Sequence, residues 1–107
     1  MIGSNKNILI LGAGESGIGA AILAKKMGWC VYVSDRSEIS SENIKKLNDL
    51  DVNWEHKCHT YNDLSNINLV IKSPGIPDDI DLIVNLKNRG ISVISEIEFG
   101  GLYNKAK

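Results

Sequence analysis

A three-layer α/β fold with a five-stranded, mainly parallel sheet is what the sequence predicts, and three observations support the prediction. Apolar segments of strand type alternate with segments of helical composition along the 107 residues. A glycine-rich turn, 12–17, joins the first apolar segment directly to a helix. Asp35 follows the second apolar segment, about 20 residues beyond the glycines. Together these features indicate a Rossmann-like domain whose glycine turn cradles phosphate.

The first half of the chain is predicted to contain three strands and two helices. The strands are expected at 6–11, 30–34 and 51–55, and the helices at 16–27 and 41–49. The first helix is apolar almost all round, as expected of a helix packed between a sheet and its neighbours, and Gly28 ends it. The segment Ser40-Ser41-Glu42-Asn43 contains a capping signal for the second helix. The alternating segment 51–55 indicates a strand near the sheet edge.

The second half is predicted to contain two more strands and two more helices. The strands are expected at 68–72 and 91–94, and the helices from 78 or 79 to 89 and from 96 to 105. The first of these strands is apolar enough for the sheet centre. Two prolines and a glycine make 73–77 a loop. The buried positions predicted for the third helix are Ile80, Ile83, Val84 and Leu86.

Three loops follow the carboxyl ends of predicted strands: the glycine turn, Asp35-Arg36 and the loop after position 72. Ligands of parallel sheets bind beyond these ends, so the three loops are predicted to form one site. Asp35 is of the type that accepts hydrogen bonds from a ribose or a base. Arg36 can pair with a phosphate or stack on a base, or can be a solvated loop cation. These residues suit any ligand with a diphosphate and a ribose, so they do not discriminate between NAD and a UDP-sugar as the ligand.

Each glycine of the turn is predicted to have a separate role. Gly12 is predicted to allow the sharp turn, Gly14 the approach of a phosphate to the backbone, and Gly17 the close packing of helix on strand. Ser16 can donate its hydroxyl to a phosphate, cap the helix, or do both. The alternative is a turn that needs glycine for geometry alone, but the spacing and the strand–turn–helix context favour the phosphate site.

Composition argues against several other partners. Twelve basic and thirteen acidic residues give a net charge of −1 with no basic stripe, so neither nucleic acid nor an anionic membrane surface is expected. No apolar run is long enough to span a bilayer, and the first residues lack a signal-peptide core. Cys30 and Cys58 are far apart, which favours reduced thiols in the cytoplasm, with Cys30 packed as a small hydrophobe.

The segment His56-Lys57-Cys58-His59 invites a metal interpretation, which its spacing does not support. A closed zinc site needs four ligands at wider spacing, so an exposed loop without metal is expected. Adjacent Cys58 and His59 likewise make a poor nucleophilic pair. Neither a P-loop nor a nucleophile elbow is present, and no catalytic residue is predicted in this chain.

Three segments, 10–17, 70–77 and 94–99, together resemble the N-terminal domain of the Mur ligases of the MurD type, the UDP-N-acetylmuramoyl-L-alanine:D-glutamate ligases. The resemblance covers nearly the whole chain, and the Ser-Pro-Gly-Ile-Pro loop is its most specific part. It implies an ATP- and Mg-dependent parent enzyme of cytoplasmic peptidoglycan synthesis whose N-terminal domain holds the UDP part of UDP-N-acetylmuramoyl-L-alanine. The implied UDP-binding residues are Gly14, Glu15, Ser16 and Gly17 at the diphosphate, Asp35 and Arg36 at uracil and ribose, and Ser73, Pro74 and Gly75 on the other side.

The resemblance also sets the expected domain organisation. Residues 1–107 are expected to form a single substrate-binding domain, with 1–5 a loose end or tag remnant. The family's ATP-binding and C-terminal domains are not in this sequence, so the chain alone is expected to hold no cofactor and to ligate nothing. Two alternatives stay open: an NAD(P)-binding or sensing domain, and a folded fragment whose affinity for ligand is too weak to matter.

Overall fold

A computed structural model of the chain describes residues 6–57, 67–73, 76 and 81–104. The strands are β1 (Asn7–Leu11), β2 (Cys30–Asp35), β3 (Asn53–His56), β4 (Leu69–Lys72) and β5 (Ser92–Ser95). The helices are α1 (Glu15–Lys26), α2 (Ser41–Asp49), α3 (Asp81–Asn88) and α4 (Glu96–Asn104). All four strand pairings are parallel, in the sheet order β3-β2-β1-β4-β5. The predicted three-layer α/β fold is therefore confirmed.

The order of the sheet follows from which strands are buried on both faces. β1 lies at the centre, and its four residues 8–11 are all 1% exposed or less. Ile8 and Ile10 belong to one apolar cluster, and Leu9 and Leu11 to the other. A strand without a polar face fits only between two covering layers, as in other parallel sheets.

The two apolar clusters define the layers on either side of the sheet. The first cluster includes side chains of α1, α2 and α4, and the second is closed by Ile83 and Leu86 of α3. The smallest side chains of α1, Ala20, Ala21 and Ala24, are buried in the first cluster.

The boundaries of β3 differ slightly from the prediction. This strand lies at the sheet edge as predicted, but it begins at Asn53, because Asp51 has a φ of 60° in the turn after α2. It extends to His56, for which the sequence predicted an exposed loop. The first residues predicted for the third helix, including Ile80, and the loop residues 58–66 lie outside the described residues.

Two predictions of burial are wrong. Cys30 is exposed, because it is the first residue of β2, at the amino end of the sheet, while Val31 and Val33 provide that strand's contacts with the first cluster. Val84 is 43% exposed. Successive helical residues point about 100° apart, so the face of α3 that buries Ile83 turns Val84 outward.

Close packing at the start of α1 depends on Gly17. A Cβ built at Gly17 would overlap the carbonyl oxygen of Gly12, so α1 approaches the end of β1 as closely as the backbone allows. A side chain at this position would force the turn or the helix to move.

We expect Gly17→Ala to lower the free energy of unfolding by about 1–3 kcal/mol, because the added methyl group overpacks a buried site. Gly19→Ala is the matched control, since Gly19 lies in the same helix with no atom within 4 Å of its built Cβ. It should raise the free energy of unfolding by up to about 1 kcal/mol. Urea denaturation measures both, and equal effects would contradict the packing role of Gly17.

Candidate functional site

The three predicted loops meet in one cleft beyond the carboxyl ends of β1, β2 and β4. The cleft has a volume of about 220 Å³ and is lined by Gly12, Gly14, Asp35, Arg36, Ser37, Ser73 and Ile76. Glu15 and Ser16 are exposed at the start of α1, whereas Gly17, in the same helical turn, is buried. Pro74 and Gly75, also predicted at the site, lie outside the described residues. A second cleft of about 240 Å³ lies toward the amino end of β1 and β2, and none of the described residues that line it is charged.

Gly12 is required by the fold. It has a φ of +107°, and its amide donates to the Ser34 carbonyl at 2.8 Å. A Cβ on Gly12 would lie 2.7 Å from the Cβ of Ser73, whose own amide donates to the Leu11 carbonyl. The turn after β1 is thus packed directly against the first residue after β4.

Gly14 differs from the other two glycines of the motif. Its φ of −76° and ψ of −168° are open to any residue, and a Cβ built there meets no atom of the described residues within 4 Å, apart from its two chain neighbours. The packing of the described residues therefore does not require glycine at this position. The space beside Gly14 belongs to the cleft, where a ligand can approach the backbone.

The start of α1 has no side-chain cap among the described residues. Gly14 is the N-cap, and the first intrahelical bond runs from the Ile18 amide to the Gly14 carbonyl at 2.9 Å. In contrast, Ser40 Oγ accepts from an amide at the start of α2. Ser95 and Glu98 form a reciprocal capping box at the start of α4. The α1 terminus, with its positive dipole end, opens at the cleft in a form suited to an anion.

Ser16 does not cap α1. Its hydroxyl donates to Glu96 Oε2 at 3.2 Å and so joins the first turn of α1 to the first turn of α4. Sequence reasoning did not anticipate this contact between residues eighty positions apart. A phosphate that engages the Ser16 hydroxyl would take the place of the Glu96 carboxylate.

Asp35 connects two of the loops. Its Oδ2 accepts from the Ala13 amide at 2.7 Å, and its Oδ1 accepts from the Ser37 amide at 2.8 Å. The carboxylate is half-buried and lines the cleft. Asp35 therefore supports the glycine turn in addition to any contact with a ligand.

Asn43, in the first turn of α2, completes the support of the glycine turn. Its Nδ2 donates to the Ala13 carbonyl at 3.0 Å. Sequence reasoning placed Asn43 only in a capping segment, because nothing in the sequence links it to a residue thirty positions earlier.

Lys72, the last residue of β4, was also missed. Its Nζ donates to the Ile76 carbonyl at 2.7 Å and lies 3.5 Å from the Ser73 carbonyl, so the side chain holds the ends of the loop together. The Ile76 amide donates to the Ser73 carbonyl at 3.0 Å and closes the same turn. Arg36 is exposed and is the cation among the described residues that line the cleft.

The histidine at position 56 has a structural contact. His56 Nδ1 accepts from the Ile39 amide at 3.1 Å, while Cys58 and His59 lie outside the described residues. Within the part of the chain that the structure describes, no three His, Cys, Asp or Glu side chains are grouped to hold a metal ion. The helices of that part are also too short or too polar to cross a membrane.

Comparison with known proteins assigns this architecture to a family. Residues 6–95 match the family model described as Mur ligase MurD-like, N-terminal domain. The chain belongs to the MurD-like N-terminal domain family of the Mur ligases. The interpretation of the three sequence segments is thereby confirmed.

Curated relatives in this family are ligases that are much longer than this chain. The UDP-N-acetylmuramoylalanine--D-glutamate ligase of Bacteroides thetaiotaomicron is 52% identical over 102 residues, which are 95% of this chain and 23% of the relative. The enzyme of the same name from Christiangramia forsetii is 48% identical over 100 residues, 94% of this chain and 22% of the relative. This Mur ligase domain thus spans somewhat over a fifth of the length of these relatives.

The fold of this Mur ligase domain also matches solved structures. The UDP-N-acetylmuramate-alanine ligase MurC from Thermotoga maritima superposes with a TM-score of 0.73 at 24% identity. The match covers 94% of this chain and 23% of the MurC chain. At this level of identity the likeness supports the fold alone.

We expect Asp35→Ala in this Mur ligase domain to lower the free energy of unfolding by about 1–3 kcal/mol, because the buried Ala13 amide loses its acceptor. Asp35→Asn keeps one acceptor oxygen and should cost less. Glu38→Ala removes an exposed acid from the same loop and should change stability by less than about 0.5 kcal/mol. Urea denaturation tests the order, and an Asp35→Ala effect as small as that of Glu38→Ala would refute the support role.

Proposed function

We propose that residues 1–107 form a single domain that binds the UDP part of UDP-N-acetylmuramoyl-L-alanine. In this proposal it is the substrate-binding domain of an ATP-dependent, cytoplasmic D-glutamate ligase of peptidoglycan synthesis. The names of the curated relatives support the assignment of the parent reaction. The single observation that carries the binding proposal is Gly14, which the fold does not require and which opens onto the cleft.

The diphosphate is assigned to the start of α1. The amides of Glu15, Ser16 and Gly17 precede the first intrahelical hydrogen bond, so the helix itself offers them no carbonyl partner. Backbone amides and the helix dipole at such a terminus favour a negatively charged group. The Ser16 hydroxyl can add a further donor once it leaves Glu96. Glu15 contributes through its backbone, since its carboxylate would repel the ligand.

The uridine is assigned to the loop after β2. Each Asp35 oxygen accepts one hydrogen bond from a backbone amide, and a carboxylate oxygen has a second lone pair for a ligand donor. Arg36 supplies the positive charge of the cleft lining. Ser73 lines the opposite side, and Pro74 and Gly75 are assigned there by the family resemblance.

The role of this domain in the reaction is to bind and orient. A diphosphate held at α1 fixes one end of an extended substrate, so that the remainder reaches the domain that carries the chemistry. ATP and Mg²⁺ are expected to bind to the other domains proposed for the parent enzyme. Those domains are also the proposed partners of this one. No proton transfer or covalent step is assigned to residues of this chain.

Binding can be tested by an amide NMR titration of the chain with UDP-N-acetylmuramoyl-L-alanine, UDP, NAD and NADP in turn. We expect the uridine ligands alone to shift the amides of 14–17, Asp35 and Ser73, because the cleft joins all three loops. The NAD(P) alternative draws on the glycine turn and Asp35 only. Shifts with NAD and none with UDP would show that the ligand is a nicotinamide nucleotide and not the proposed UDP derivative. No shift with any of the four would contradict binding by this chain.

We also expect the 107-residue chain to show no ATP hydrolysis coupled to D-glutamate, because its sequence contains no phosphate-binding loop of the GxxxxGK[ST] type. The assay measures phosphate release with UDP-N-acetylmuramoyl-L-alanine, D-glutamate, ATP and Mg²⁺ present. A full-length relative serves as the positive control. Turnover by the chain alone would contradict the proposal that the other domains of the parent enzyme carry out the reaction.

A further inference from the structure

Ala13 occupies a buried position between the end of β1 and the start of α1. It is 3% exposed and lies outside both the sheet and the helix. Side chains provide hydrogen-bond partners for both of its backbone polar groups: Asp35 accepts from the amide at 2.7 Å, and Asn43 donates to the carbonyl at 3.0 Å. Buried backbone groups need such partners, and here α2 supplies one of them from thirty residues away.

These two hydrogen bonds hold two successive peptide planes. The Ala13 amide belongs to the peptide that follows Gly12, whereas the Ala13 carbonyl shares its peptide with the amide of Gly14. A trans peptide is planar, and its N–H points opposite to its C=O. By holding the Ala13 carbonyl toward α2, Asn43 directs the Gly14 N–H away from α2.

Gly14 makes this restraint necessary. The conformational freedom of glycine leaves the Ala13–Gly14 peptide able to rotate at low cost. An anion site built from amides works best when the amides are already oriented, since their reorientation would otherwise cost affinity. Asn43 does not line the cleft, so any effect on a ligand passes through the Ala13 peptide.

We propose that Asn43 is a positioning residue for the phosphate site: its amide fixes the Ala13–Gly14 peptide so that the Gly14 N–H is oriented for a diphosphate. This inference rests on the proposed function and assigns part of the site to α2, a helix outside the glycine motif. The Asn43 backbone has a separate task, because its amide donates to the Ser40 Oγ cap at 3.2 Å. Side-chain and backbone roles can therefore be separated by substitution.

Three variants separate positioning from helix stability. Asn43→Ala removes the donor to Ala13 and keeps the backbone bond to Ser40. Asn43→Asp has nearly the same shape but presents a carboxylate to the carbonyl, while an acid in the first turn of a helix stabilises that helix. Ser40→Ala, the matched control, removes the cap of α2 and leaves the Asn43 side chain in place.

The experiment measures dissociation constants for UDP and for inorganic diphosphate by NMR titration, together with the thermal stability of each variant. We expect Asn43→Ala to weaken diphosphate and UDP binding about 3- to 10-fold, the equivalent of one lost hydrogen bond. Asn43→Asp should weaken binding further without lowering stability in proportion. Ser40→Ala should lower stability and leave both dissociation constants within about twofold. Without ligand, the Ala13 carbonyl ¹³C shift should change in the Asn43 variants only.

Each alternative result has a defined meaning. If the Asn43 variants bind both ligands within twofold of the unsubstituted chain, the inference is overturned. It is also overturned if Ser40→Ala weakens binding as much as Asn43→Ala, since the effect then comes from the stability of α2. Binding of inorganic diphosphate without preference for UDP would contradict the proposed function alone, and the Asn43 comparison would still decide the inference. Absence of binding to both ligands overturns both.

Discussion

The close contact between Gly17 and the Gly12 carbonyl is the constraint on which the rest of this domain depends. β1 is buried on both faces, so the chain must leave it at the carboxyl edge and enter α1 within a few residues. The absence of a Cβ at Gly17 lets α1 begin against the end of the strand. That contact places the first turn of α1, with its positive dipole end, beside the loops that follow β2 and β4. The architecture of the site is thus set by a packing contact.

The backbone polar groups of this tight turn do not pair with one another, and neighbouring segments provide their hydrogen-bond partners. Ser34 accepts from the Gly12 amide through its carbonyl, and the side chains of Asp35 and Asn43 hold the two sides of Ala13. The loop after β4 is held in a similar way by the Lys72 ammonium. Residues at strand ends and in the first turn of α2 thereby stabilise the fold and shape the cleft at the same time. A substitution among them is expected to change both stability and the shape of the cleft, which is why matched controls are needed to separate the two.

The sequence predicted the order of elements well, because apolar periodicity and glycine stops report local structure directly. It also predicted which loops meet, since parallel strands bring their carboxyl ends to one edge. The contacts it missed join residues that are distant in sequence, such as Asn43 to Ala13 and Ser16 to Glu96, and they depend on how α2 and α4 pack against the glycine turn and the start of α1. The errors at Cys30 and Val84 have a similar origin. Residue type suggested burial, whereas position at a strand end or on the outer side of α3 decided exposure.

The three glycines of the motif separate what the fold requires from what a ligand requires. Gly12, with its positive φ, and Gly17, with its overlapping Cβ, would be needed in this turn even if it bound nothing. Gly14 has an ordinary conformation and open space around it, so the case for a ligand depends on this glycine. A motif match alone cannot make the distinction, because all three positions satisfy the same pattern. The structure can, because it shows which glycine the packing requires, and it also shows that a hydrogen bond from Asn43 of α2 holds the carbonyl of the Ala13–Gly14 peptide.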